Sequence, residues 1–169
     1  MYRLILSILL LSFHIAAHAV ETYQTPADFL AEVFNSHIPK AKKIWITGDV
    51  KVQVSKILRH SPKALRLRYW ANKEKSVWVL NEVGKQRDIT VGVVIKNKRI
   101  EKIKVLVFRE SRGSEVRHDY FTQQFKQVHL INNRKLSKNI DGVTGATLSV
   151  RALKKIAILA LYLNTQIKI

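Results

Sequence analysis

The chain contains no cysteine among its 169 residues. That absence excludes disulfides, thiolate metal sites and iron–sulfur clusters. Acidic residues are scarce: 12 Asp and Glu stand against 30 Lys and Arg. They are scattered, so a two-carboxylate hydrolase has no support. Long apolar runs are scarce as well. One covers Leu4 to Ala16, and Ile156–Leu163 is too short to span a bilayer and reads as a buried core helix. Glycine and proline number only six and three. Neither repeats nor low-complexity segments occur. His37, His60, His118 and His129 have no metal-like spacing, which argues against a haem or zinc site. Gly-x-Ser-x-Gly, Walker and dinucleotide fingerprints are missing too. No catalytic residue and no metal ligand is assigned.

What is present begins with the N-terminus. Arg3 supplies a short basic region, Leu4 to Ala16 an apolar core, and Ala17-His18-Ala19 a small-x-small cleavage site. Residues 1–19 therefore read as a secretory signal peptide, cleaved after Ala19. The competing reading is an uncleaved membrane anchor. The expected location is periplasmic or otherwise extracytoplasmic, in solution or at a membrane. Removing 19 of 169 residues leaves 150, one domain's length. Losing Arg3 leaves 29 basic against 12 acidic residues, a net charge of +17. Such a balance suits nucleic acid, an anionic membrane surface or an acidic protein, and it also serves plain solubility. Export argues against nucleic acid.

Thr25-Pro26-Ala27-Asp28 opens a helix with a cap, a first-turn proline and an acid at the third position. Phe29, Leu30, Val33 and Phe34 continue it at helical spacing. Val50, Val54, Ile57 and Leu58 predict a second helix, stopped by His60-Ser61-Pro62. From Ala64 the period changes to two. Strands are expected at 64–70, 76–82, 89–95 and 100–108. Gly84-Lys85-Gln86 and Lys96-Asn97-Lys98 suit hairpin turns. A short helix is expected at 119–127 and an irregular stretch or short strand at 130–138. A long helix follows at 148–163. The predicted fold is α+β: an antiparallel sheet meander packed with helices, preceded by a small helical lobe. The expected divisions are 1–19, a helical lobe with the first strand at 20–75, and a main domain at 76–165.

Directly before the long helix stands Asp141-Gly142-Val143-Thr144-Gly145-Ala146-Thr147. Its glycines let the backbone bend and approach a ligand closely. Thr147 falls where the helix begins, and the free N–H groups there favour a phosphate. The loop thus presents a hydroxyl beside a phosphate site. The simpler reading is a loop whose Thr144 or Thr147 caps the helix.

Asp141 to Ser149 resembles the flavinylation motif of the FMN-binding domain family. That domain occurs in the flavin-bearing subunits of the sodium-pumping NADH:quinone reductase and of Rnf-type complexes. The resemblance runs from about Trp78 to about Leu163. Thr144 stands where Ser is more usual, which keeps the hydroxyl. Val150 stands where many members have a second small hydroxyl residue. The resemblance implies FMN esterified through its phosphate to Thr147, with Asp141, Gly142, Thr144, Gly145, Ala146 and Leu148 around it. It implies a Mg²⁺-dependent flavin transferase that uses FAD, because a threonine hydroxyl is a weak nucleophile unaided. Asp141 would orient the hydroxyl or a metal during that transfer. It further implies a role in electron transfer, with a redox partner protein or a membrane reductase complex.

Arg109-Glu110-Ser111-Arg112-Gly113 is similar to a recurrent piece of the same domain. Arg109 or Arg112 would pair with the FMN phosphate, and Gly113 would let the backbone pass close to the ring. A solvated turn with Arg–Glu pairs is the plainer reading. Trp45, Trp70 and Trp78 could stack on a flavin, but core packing is the expected role. The alternative function is a non-covalent module for FMN or another phosphate ligand, without turnover. A basic docking protein on an anionic envelope surface is a third.

Overall fold

A computed structural model describes residues 20–168. The predicted export signal lies outside the described residues. In chain order these form β1 (Glu21–Thr22), α1 (Pro26–Val33), β2 (Lys42–Trp45), α2 (Gly48–Leu58), β3 (Arg66–Ala71), β4 (Lys75–Val83), β5 (Asp88–Lys96), β6 (Arg99–Phe108), α3 (Asp119–Thr122), β7 (Leu130–Asn132), β8 (Lys135–Leu136) and α4 (Thr147–Thr165). Single 3-10 turns flank α3 at Ser114–Arg117 and Gln123–Phe125.

The fold is α+β. Six strands form one antiparallel sheet in the order β1-β6-β5-β4-β3-β2, and β7 pairs with β8 as a separate hairpin. The predicted meander is its centre. Its register follows from period-two patterning: Tyr69 opposes Trp78, and Trp78 opposes Val93. Trp78 points to one face while Val77 points to the other, and both are fully buried. β5 is buried from Ile89 to Ile95 because helices cover it on both sides.

The larger core lies between the sheet and α4, with α2 beside it. Val150, Leu153, Ile156, Ala157 and Ala160 pack there onto Leu80, Val91, Val93 and Ile103. Two polar links pin α4. Ser76 donates to Asn164 at 2.7 Å and receives the Trp78 indole N–H at 3.0 Å. Lys155 reaches the buried Glu82 at 2.7 Å, and His60 meets the same carboxylate at 3.1 Å.

The smaller core lies on the opposite face, under α1. Thr25 caps that helix, accepting from the Asp28 N–H at 3.1 Å, with Pro26 in its first turn. Phe29 seats on Gly92, where a Cβ would come within 2.3 Å of its ring. Residue 92 must therefore lack a side chain. The two N-terminal helices thus sit on opposite faces of the sheet. β1 and β2, which periodicity did not reveal as strands, are its edges, and both are short. Trp45 is exposed rather than in the core, because none of the described residues covers that face of edge strand β2. The Arg66 guanidinium stands 6.0 Å from its ring centroid.

Candidate functional site

The site is built around the start of α4. Ile140 and Ala146 are buried and fix the two ends of the intervening loop. The Lys154 ammonium donates to the Ile140 carbonyl at 2.9 Å, and the Asp141 N–H donates to Gln124 Oε1 at 2.7 Å. Between these anchors Asp141, Gly142, Thr144 and Gly145 are exposed, and Val143 turns partly into the core. Gly145 has φ +81°, the left-handed region where a Cβ is costly. Gly142 has no such conformation and no crowding.

Ala146 is the N-cap of α4, and no side chain caps the helix. Neither Thr144 nor Thr147 performs the capping that the simpler reading assigned to them. An alanine at this position forgoes ~1 kcal/mol relative to Ser, Thr or Asp. The Ala146 N–H donates to Val143 at 3.0 Å, and the Val150 N–H donates to Ala146 at 2.9 Å. The intervening N–H groups of Thr147, Leu148 and Ser149 have no partner among the described residues. The first turn carries no acid. The positive end of the helix dipole is therefore left open beside the exposed Thr147 hydroxyl, an arrangement that attracts phosphate. Arg151 adds a formal charge one turn further on.

The second predicted group divides. Gly113 reaches the site, at φ +87°. A Cβ on it would lie 2.5 Å from the Ser149 hydroxyl and 3.4 Å from Ala146 Cα. Glycine here lets the loop after β6 close against the first turn of α4, a role different from passing a flavin ring. Ser111 and Arg112 are exposed beside it. Arg109 points elsewhere: it donates to the Asp88 carbonyl at 3.1 Å and to Thr90 Oγ1 at 2.8 Å. It lines a trough with Trp70 and Val79, on the sheet face opposite α4. Arg109 is thus separated by the sheet from Thr147.

Glu110 is also engaged. Its carboxylate accepts N–H groups from Lys85, from Gln86 at 2.7 Å and from Arg87 at 2.9 Å. It holds the β4–β5 turn. Burial raises its pKa, but the three N–H donors and the Arg87 charge outweigh that, and the net shift is downward.

Sequence reasoning missed Arg151 and the buried Glu82 cluster. Helical spacing from Thr147 points to Arg151. Nothing in the sequence joins His60, Glu82 and Lys155, which come from the loop after α2, from β4 and from α4.

Residues 84–162 match the family model of the FMN-binding domain. The match starts in the β4–β5 turn and takes in the Arg109–Gly113 loop, the Asp141–Thr147 loop and nearly all of α4. It supports FMN as the cofactor. No curated protein and no solved structure matches the chain. The residues at this site fit the group: a phosphate finds open amides, no competing acid in the first turn and a hydroxyl beside them. Among the described residues, no helix is long and apolar enough to cross a membrane.

Proposed function

We propose that Thr147 carries FMN through a phosphoester and that the protein works in extracytoplasmic electron transfer. The observation that carries this reading is the uncapped start of α4. Three free N–H groups and an unpaired, exposed hydroxyl meet at the one threonine that the flavinylation motif singles out. Structural capping does not account for them.

The roles divide as follows. Thr147 supplies the oxygen that joins the phosphorus. A flavin transferase takes the hydroxyl proton and releases AMP from FAD, since among the described residues no side chain accepts a hydrogen bond from Thr147. The amides of residues 147–149 and the Arg151 charge hold the phosphate. Gly113 and Ser149 lock the loop after β6 to the helix that bears the tether. When bound, the flavin supplies the redox chemistry. A covalent tether keeps it from escaping where no FMN pool would replace it. The electron donor and acceptor would be a partner protein or a membrane reductase complex.

The same amides would also hold a phosphate ligand without a bond, which is the second reading. Intact mass and in-gel ultraviolet fluorescence separate the two. The protein is expressed with and without a flavin transferase. A transferase-dependent FMN mass increment, lost in Thr147→Ala, is expected. Flavin colour that washes out on denaturation would replace the covalent reading with the second one. The same intact mass tests cleavage after Ala19.

A further inference from the structure

A groove of about 420 Å³ runs between α2, the β7–β8 hairpin and α4. Seven of its ten lining residues are Lys or Arg, and none is acidic. Lys56 and Arg59 come from α2, Arg134 and Lys135 from the hairpin, and Arg151 and Lys154 from α4. The seventh, Lys155, is neutralised by Glu82. Lys56, Arg59, Arg134, Lys135 and Arg151 form no ion pair among the described residues.

A second observation concerns the backbone. Arg59 closes α2 in the left-handed conformation, at φ +62°. Glycine or asparagine is usual at that place, and a larger side chain is strained there. The chain keeps a cation at a position whose conformation favours glycine, and that cation lines the groove.

We infer that this groove docks an acidic segment of a partner protein that must approach Thr147. The inference rests on the flavin reading for its purpose, though not for the binding itself. Charge complementarity identifies the chemistry: unpaired cations converging in a concavity are relieved by carboxylates. Shape favours a protein over a bilayer, because a planar surface cannot enter a groove walled by a helix and a hairpin. Arg151 lies four residues beyond Thr147, ~6 Å along the helix axis. An acidic segment in the groove therefore brings its owner over the attachment residue.

The test uses the full chain expressed without a flavin transferase, so that failed flavin attachment cannot affect the result. An oligoglutamate peptide, inorganic phosphate and phosphatidylglycerol vesicles are titrated separately. The paired reversal Arg134→Glu with Lys135→Glu is compared with Lys43→Glu and Arg68→Glu. These lie on the opposite sheet face and change net charge equally. The expected result is that the groove pair weakens peptide binding about tenfold or more, against less than about twofold for the control. Equal weakening by both pairs would overturn the inference, as net charge alone would then explain binding. Vesicle or phosphate binding that depends on the groove while peptide binding does not would overturn it in favour of a lipid or a free anion. Arg59→Gly gives an independent reading: a higher Tm with weaker peptide binding supports the inference, and a higher Tm with unchanged binding counts against it.

Discussion

At the scale of single residues, Gly113 sets the start of α4 and Glu110 holds the β4–β5 turn. Gly113 combines a left-handed φ with an approach that leaves no room for a Cβ. Gly113→Ala is expected to cost about 2–3 kcal/mol, as strain and overpacking act together. It should also lower flavin occupancy at Thr147, because the start of α4 must shift. Chemical denaturation and intact mass read the two effects separately. A stable variant with full occupancy would show that the close approach is incidental. Glu110 makes a pH prediction. Its folded pKa is depressed below the ordinary 4.5. Its contribution to stability is therefore fully present above that value and lost as pH falls through the folded value. Glu110→Gln should remove this component. The stability gap between wild type and variant would be constant near neutral pH and would narrow below about pH 4.5. Urea titrations across that range check it. A gap that widened on acidification would give the shift the wrong sign.

At the scale of elements, α4 and α1 are attached to the sheet by different means. α4 combines a broad apolar face with the Glu82–Lys155 pair and the Ser76–Asn164 bond. α1 is seated by Phe29 over Gly92, with Leu30 and Phe34 buried beside it, and is aided by Glu32, which pairs with Lys102 and Lys104. Hydrogen bonds from Lys102 and Gln24 hold the Glu32 carboxyl below its ordinary pKa. Gly92→Ala should therefore displace α1 while leaving α4 in place, at a cost of about 2–3 kcal/mol. Amide hydrogen exchange would reveal fast exchange confined to α1 and its neighbours. Uniform loss of protection would show that the two faces unfold as one. The meander was legible in the sequence because β3 to β6 are strand-forming runs of six to ten residues each, separated by turn signals. β1 and β2 were not, because two and four residues are too few to establish a period. Their pairing is set by the strands that they flank.

At the scale of the molecule, charge is the dominant property. A formal +18 on 169 residues repels itself when the chain is compact. Few acids are available to offset it, and Glu82 and Glu32 are already engaged. The Tm should rise by a few °C when salt is raised from about 0.01 M to about 0.3 M, as the screening length shrinks. Differential scanning calorimetry checks this. A Tm that fell with salt would mean that ion pairs outweigh repulsion. The same salt would weaken docking of an acidic partner in the α2–α4 groove, so stability and association should respond in opposite directions.

Local chemistry in the sequence was enough to locate Thr147 at the start of a helix, the glycine that precedes it and the central hairpins. Each depends on neighbours only a few residues away. It could not decide which residues of the Arg109–Gly113 loop belong to the site. The chain leaves β6 after Phe108, so Arg109 stays on the far face, held by Asp88 and Thr90, while the loop turns at Gly113 to meet Ser149. Nor could it assemble His60, Glu82 and Lys155, or collect cations from α2, a hairpin and α4 into one groove. Those placements depend on which faces of distant elements pack together, and only the tertiary structure decides that.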